Sequence, residues 1–393
     1  MDTTVEDRGA TPMSSPPSSA TSLVVCSLED WGTVRRRIRI LVDELVAMDP
    51  ALEVLFVAPA VDVPFELRKG SLTRISQPRM EQVHPRVHVL RPRKWLPRVL
   101  GASADRSLGR QVARAADRLA LTDPLVWIND AYYARFALAT GWPTIYDVTD
   151  DWLLADFPAR QEARLRANDE LLLERSGAVV VCSPDLARTR GDRRSVDLIP
   201  NGVDVELFRT PQDRPDVLPA GPVAVYVGTL HEWRFDVPLL EELAAALPDV
   251  QIALVGPNSL GTTDAARLAS FPNVHLVGPQ PYDLVPGFLQ HADVVVIPHL
   301  VNPFTESLDP IKAYECVAAG RPTVATPVAG FRDLGDAVVV ADRTEFVRVV
   351  SRVLDSADSA DTEAPATAVA SWRERAQAMA AVMRRVRDEA GAR

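Results

Sequence analysis

The sequence predicts an α/β protein of two doubly wound, Rossmann-like parallel sheets facing each other across a cleft. Three observations carry this. Short runs rich in Val, Ile and Leu alternate with helix-spaced runs, the pattern of buried parallel strands and their crossover helices. The alternation occurs twice. Between the two series, Arg209–Pro222 carries Pro211, Pro215, Pro219 and Pro222, which marks a hinge. At 393 residues, each half is long enough to bury its own core.

The elements follow in order. Residues 1–21 are rich in Ser, Thr and Pro and lack the apolar centre of a signal peptide, so they read as a disordered tail. Ser22–Ser27 is a strand, and Thr33–Met48 is a helix with Ile38, Leu41, Val42, Leu45 and Val46 on one face. Strands follow at Leu52–Ala58, Val87–Leu90, Pro124–Ile128, Thr144–Val148, Ala178–Cys182 and Val196–Pro200, with helices at Arg106–Leu119 and Gln161–Glu174. The first domain spans 22–205 and the linker 206–221. The second domain, 222–355, has strands at Val223–Val227, Gln251–Val255, Val274–Leu276, Val294–Ile297 and Thr323–Ala325, and a helix at Val237–Ala246. Residues 356–393 hold a low-complexity loop, Ser356–Ala370, and a terminal helix, Ser371–Glu389.

Composition excludes several classes. A net charge of −10 argues against nucleic acid as a partner. No apolar run reaches the ~20 residues of a membrane span. Cys26, Cys182 and Cys316 lie in apolar runs and read as buried free thiols of a reducing cytoplasm, not as disulfides or metal ligands. His231, His291 and His299 are scattered, and no metal-ligand spacing occurs.

The densest functional signal is Ser307–Glu315. Asp309 suits a helix N-cap, and Pro310 the first helical position. A helix start attracts phosphate through free N–H groups and its dipole. Lys312 adds charge in that turn, and it is one of only three lysines in a chain with 40 arginines. Glu315 lies three residues on and shares its face, roughly 4.5 Å along the axis, about the offset of a ribose from a diphosphate. A solvated Lys and Glu is the plain alternative. In doubly wound sheets ligands sit at the carboxyl ends of strands. There, Thr144–Val148 is followed by an acidic cluster, Asp147, Asp150 and Asp151. A crowded carboxyl has a raised pKa suited to proton transfer. The alternative for Asp150 and Asp151 is a helix cap. Asp130 is a second candidate of this kind. Trp31-Gly32 follows the first strand. The run Arg35-Arg36-Arg37-Ile38-Arg39 opposes the dipole of the helix it opens, which points to an anion nearby or to a solvated face. His84–Leu100 mixes Arg and Lys with Trp95 and Leu96, fitting anionic lipid or an ordinary surface loop.

Four segments resemble GT-B glycosyltransferases of the family 4 type: Ile199-Pro-Asn-Gly-Val-Asp204, Val227-Gly-Thr-Leu with Trp233-Arg-Phe-Asp236, Gly278-Pro-Gln-Pro-Tyr-Asp-Leu-Val-Pro286, and Ala292–Pro298 with the Lys312–Glu315 helix. Their order is similar to that in enzymes building bacterial cell-surface or secondary-metabolite sugars, such as teichuronic acid glycosyltransferases. The resemblance covers about residues 22–345 and is looser in the first half. It implies a GT-B fold and transfer from a nucleotide-diphosphate sugar to an acceptor hydroxyl. The reaction would retain the anomeric configuration and need no metal or other cofactor. Donor residues would be Gly228, Thr229, Arg234, Gly256, Tyr282, Ser307, Asp309, Lys312 and Glu315. Of these, Arg234 and Lys312 meet the diphosphate, Glu315 the ribose and Tyr282 the base. Ser307 occupies the place of the family's first glutamate, which contacts the sugar; Glu306 is the neighbouring substitute. The first domain would hold a sugar, lipid-linked or small-molecule acceptor at Trp31, Gly32 and Asp130, beside Asp147, Asp150 and Asp151. A cytoplasmic enzyme, in peripheral contact with the inner face of the membrane when the acceptor is lipid-linked, fits this picture. The competing readings are a nucleotide-sugar epimerase and a non-catalytic partner subunit, the latter kept open by Ser307.

Overall fold

The computed structural model describes residues 21–32, 35–96, 101–154, 157–332, 334–357 and 369–392. The tail expected at 1–21, apart from Thr21, and most of the loop expected at 356–370 lie outside them; Ser356 and Ala357 end a helix, Phe346–Ala357.

The first sheet has eight strands. Its spatial order is Asp197–Leu198, Ala178–Val181, Thr144–Val148, Leu125–Ile128, Thr21–Cys26, Leu52–Val57, Val87–Leu90 and Met80–His84. All are parallel to their neighbours except Met80–His84, which runs against Val87–Leu90 at the edge. The second sheet has six parallel strands, ordered Val274–Gly278, Gln251–Val255, Val223–Val227, Val294–Ile297, Thr323–Ala325 and Val339–Val340. Each central strand is buried on both faces and therefore reads as an unbroken apolar run. Helices cover both faces of the first sheet and create two core layers, one around Phe56 and Trp127 and the other around Tyr133, Tyr146 and Leu186. A separate core surrounds Tyr226, Phe235 and Phe331 in the second domain.

Several boundaries differ from expectation. The first helix spans Arg37–Met48, and its expected start at Thr33 lies outside the described residues; Arg36 at its N-cap offers no capping hydrogen bond and cations oppose the dipole. The strand expected at Val196–Pro200 contracts to Asp197–Leu198 at the sheet edge. Residues 61–76 and 93–94 form a small unit of two short helices, Val63–Arg68 and Thr73–Ser76, with strands Val61–Asp62 and Arg93–Lys94 paired in parallel. These pieces are too short to show a period.

The terminal helix, Trp372–Gly391, begins at a capping box between Ser371 and Glu374 and returns to the first domain. It buries Trp372, Ala376, Met379, Val382, Met383 and Val386 against the Arg37–Met48 side of that core. The chain thus crosses between domains twice. At the crossing, a Cβ on Gly202 would lie 2.8 Å from the Trp372 nitrogen, which explains the glycine of Ile199–Asp204. The proline-rich linker lies on the second domain, held by Gln290, whose amide donates to the Phe208 and Thr210 carbonyls and whose oxygen accepts from the Gln212 N–H.

Candidate functional site

The strand ends of both sheets point into one cleft of about 570 Å³. From the second domain it is lined by Gly228, Thr229, His231, Arg234, Gly256, Tyr282, His299, Lys312 and Glu315, and from the first by Glu29, Arg35, Arg36, Thr149 and Asp150.

The floor is set by two glycines at strand ends. Gly228 follows Val223–Val227 with φ 143°, and Gly256 follows Gln251–Val255 with φ 140°. A Cβ on Gly256 would collide with the Gly228 carbonyl, and one on Gly228 would meet the Lys312 ammonium. Only glycine fits both places. Above them, Lys312 projects from the first turn of Ile311–Ala319. Its Nζ donates to the Tyr226 hydroxyl at 3.1 Å and lies 4.8 Å from that ring's centre. Tyr226 in turn meets the Thr229 carbonyl and His299 Nε2, each at 3.3 Å. Burial, then Lys312 and Arg234, hold the His299 pKa well below its ordinary value, so the ring is neutral. Arg234 follows the short strand Leu230–His231, and its buried Nε has no hydrogen-bond partner among the described residues. Two cations therefore face the same glycine-lined floor.

Asp309 does not cap this helix. Pro310 occupies the N-cap with no side-chain hydrogen bond. The Asp309 carboxylate accepts from the Asn201 N–H and from the Tyr314 hydroxyl at 2.6 Å, while Asn201 Nδ2 donates to the Asp309 carbonyl. Asn201 Oδ1 accepts from Arg37 at 3.1 Å. The Ile199–Asp204 segment thus ties the helix start to the first domain. All three arginines Arg35, Arg36 and Arg37 line the cleft, and Arg37 is the buried one, also donating to the Ile199 carbonyl at 2.7 Å.

Glu315 is only 6% exposed. Burial pushes its carboxyl up to about 7, with Tyr282 and Lys312 opposing the shift. The Tyr282 hydroxyl lies beside that carboxyl and has no well-formed hydrogen bond. The loop Pro279–Tyr282 closes this end of the cleft.

On the opposite wall, burial raises the Asp150 carboxyl, and Arg234 from the other domain is the largest opposing influence. Both residues line the cleft, one from each domain. Glu29 was absent from the sequence-derived candidates. Its carboxyl is pushed up to about 7 by burial, Arg36 opposing and Asp150 reinforcing, and its buried Oε2 has no partner among the described residues. It lies three residues beyond the strand Thr21–Cys26, so the rule of strand carboxyl ends that selected Trp31 and Gly32 also covers it.

The remaining expected residues lie elsewhere. Asp147 is fully buried, because strand alternation turns it towards Trp127, whose Nε1 donates to it at 3.0 Å, with Arg37 at 3.8 Å. Asp151 is held by Arg190 at 2.9 Å and caps the turn at Leu153, so it too is structural. Ser307 is fully buried between the domains: its hydroxyl donates to the Phe304 carbonyl at 2.7 Å, and its carbonyl accepts from Ser183 at 2.7 Å. Glu306 pairs with Arg332. Neither faces the cleft, so the family's first glutamate has no replacement from this loop. Trp31 packs edge-on against Phe56 at 4.9 Å beneath Arg39, and the Gly32 carbonyl accepts from Arg39; neither lines the cleft. Asp130 accepts from the Tyr132 N–H at 2.9 Å and lines a separate side pocket of about 200 Å³ with Tyr132, Tyr146, Trp152 and Phe157. That pocket adjoins the cleft at Thr149, Asp150 and Trp152.

Residues 221–356 match the domain family described as glycosyl transferases group 1. The chain is 24% identical over 336 residues to the Bacillus subtilis (strain 168) protein assigned as teichuronic acid biosynthesis glycosyltransferase TuaH, covering 77% of this chain and 80% of that one. Sucrose-phosphate synthase from Thermosynechococcus elongatus superposes with a TM-score of 0.67 at 19% identity, covering 93% of this chain and 97% of that one. Anabaena HepE, solved in complex with UDP-glucose, gives 0.61 at 17% identity, with coverages of 94% and 98%. The fold is GT-B, as the motif resemblance implied.

Proposed function

We propose that this protein is a glycosyltransferase that takes a glycosyl group from a nucleoside diphosphate sugar, with a UDP sugar the first candidate, and passes it to an acceptor hydroxyl with retention of configuration. The acceptor is a sugar, a small molecule or a lipid-linked carrier. One observation carries the reading: Lys312, Arg234 and Glu315 converge over a floor that only glycine can form. The solved complex of HepE with UDP-glucose, on the same fold, supports the choice of UDP.

In this reading the diphosphate rests on the Gly228–Thr229 backbone between Lys312 and Arg234. These cations stabilise the charge that develops on the leaving group, with no metal or other cofactor required. Glu315 accepts hydrogen bonds from the ribose hydroxyls, and the Pro279–Tyr282 loop frames the base. With Ser307 withdrawn, the carboxylates available to the transferred sugar and the acceptor are Asp150 and Glu29. The acceptor proton passes to the departing phosphate as the new glycosidic bond forms. The three buried free cysteines suit a reducing cytoplasm.

The test is thermal shift with UDP, GDP, dTDP and ADP, each with Mg²⁺ or EDTA, followed by NMR of the product's anomeric proton. A ligand that binds the native state raises the midpoint by mass action. One diphosphate should stabilise the protein equally with and without Mg²⁺. No shift with any diphosphate would overturn the donor site, and an inverted anomer would overturn retention.

A further inference from the structure

We propose that the unit formed by residues 61–77 and 93–96 docks this enzyme on an anionic lipid bilayer. The unit exposes large apolar side chains in a short stretch: Trp95 (64%), Leu72 (62%), Leu67 (54%), Phe65 (45%) and Leu96. They share one frame. The strand pair Val61–Asp62 and Arg93–Lys94 joins the two segments, and the buried Arg93 guanidinium donates to the carbonyls of Arg74, Ile75 and Gln77. Scattered exposed apolar residues are ordinary, but a cluster rimmed by charge marks an interaction face.

Charge selects the partner. The chain as a whole carries −10, yet residues 61–100 contain nine Lys and Arg against three Asp and Glu. Within the unit both acids are neutralised: Asp62 pairs with Lys94, and the buried Glu66 lies 3.9 Å from Arg74. Arg68 and Lys69 remain exposed beside Phe65 and Leu67, with Lys69 4.5 Å from the Phe65 ring centre. Among the described residues neither makes an ion pair. Cations flanking exposed Trp, Phe and Leu match the headgroup boundary of an anionic leaflet, where rings and aliphatic chains bury and ammonium and guanidinium groups meet phosphate.

The position gives the docking a use. The unit follows the carboxyl ends of Leu52–Val57 and Val87–Leu90, the ends that face the cleft. Arg91, next to the unit, lies 3.8 Å from Asp30, the neighbour of the cleft residue Glu29. A docked enzyme would therefore hold its acceptor wall near the bilayer. That use rests on the proposed transfer; the docking does not.

The experiment is flotation of the full chain with phosphatidylcholine vesicles and with vesicles containing 30% phosphatidylglycerol, at low and high salt. Wild type should float with the anionic vesicles and much less with the neutral ones. Trp95→Ala should weaken the partition about tenfold. Arg68→Gln and Lys69→Gln should each weaken it about fivefold and reduce the salt dependence. Thermal midpoints and the UDP-induced shift serve as fold controls, since none of these residues touches the donor cleft. Anionic vesicles that leave the protein unbound, or folded variants that float like wild type, would overturn the proposal. A UDP shift without flotation would leave the donor reading standing and remove this one.

Discussion

Replacing Glu315 by Gln should make the protein more stable at alkaline pH while weakening its grip on UDP. Burial raises the Glu315 carboxyl from the ordinary 4.5 to about 7. The sign follows from proton counts. Between these values the folded state keeps a proton that the unfolded state has released, so stability falls as pH rises from about 4.5 to 7 and then levels off. A rise of this size corresponds to about 3 kcal/mol for ionising the buried group. Glutamine has nearly the same shape and never ionises. Glu315→Gln should therefore match wild type near pH 4.5 and exceed it by about 3 kcal/mol at pH 8, measured by urea unfolding across that range. Glu29, also raised to about 7, adds its own slope to both proteins and cancels in the difference. Binding should move the other way. Ribose hydroxyls donate more strongly to a carboxylate than to an amide, so UDP affinity should fall roughly thirtyfold at pH 8. Wild-type affinity should strengthen as pH rises through 7, and the variant should lack that component. A stability difference that stays flat from pH 5 to 8 would refute the buried, titrating carboxyl. Unchanged UDP affinity would refute the ribose contact.

Lys312→Met removes a cation whose hydrogen bond and ring contact among the described residues are both to Tyr226. Folding stability should change by less than about 1 kcal/mol, while calorimetry should show UDP binding weakened by about 30- to 100-fold. Gly256→Ala forces a Cβ into the Gly228 carbonyl at a φ of 140°, and should cost about 2–4 kcal/mol in urea unfolding; Gly261→Ala, in open space at φ −60°, is the silent control. The neighbouring acids should separate cleanly. Asp151→Asn breaks a buried pair with Arg190 and should destabilise by about 2–4 kcal/mol, Asp169 at 3.8 Å from Arg190 softening the loss. Asp150→Asn should leave the melting midpoint within a few degrees of wild type and lower the transfer rate at least tenfold in an assay of UDP release.

Legibility in the sequence followed the range of the interactions. Strands Val223–Val227 and Val294–Ile297 are legible to the residue, because burial on both faces leaves an unbroken apolar run between turn residues; Val87–Leu90 and Thr144–Val148 match to the residue as well, although His88 and Asp147 interrupt them. Lys312 and Glu315 were legible because one helix fixes their spacing. The acids of the first domain were not. Whether Asp147 faces a cleft or Trp127 depends on strand phase, and Asp151 needs Arg190, 39 residues away, to declare itself structural. Asp309 resembled an N-cap from its neighbours alone, yet Asn201, 108 residues distant, claims its carboxylate. Glu29 lies two residues before Trp31, and nothing local distinguishes an acid that a cleft will bury.

The same long-range logic explains how the site manages without the first motif glutamate. A carboxylate at position 307 would have to occupy the seam between domains, where Ser307 has no exposed surface. The seam is instead fastened by small and aromatic groups: the Asp151 N–H meets the Ser307 hydroxyl at 3.4 Å, Ser183 donates to the Ser307 carbonyl, and Trp152 packs against Phe304 at 5.7 Å. An ionised glutamate there would have to displace the neutral groups that meet Ser307, the Asp151 N–H, the Phe304 carbonyl and the Ser183 hydroxyl, at a cost of several kcal/mol. The serine therefore holds the domains together with Asp150 and Arg234 both lining the cleft. Carboxylates in the cleft then come from the first domain, as Asp150 and Glu29, rather than from the loop that precedes Lys312. Ser307→Glu consequently should not recover a sugar contact. It should push the domains apart, loosening the seam and lowering donor affinity together, which small-angle scattering and calorimetry with UDP-glucose on the same sample would read. A compact variant with tighter donor binding would show that position 307 can reach the sugar after all.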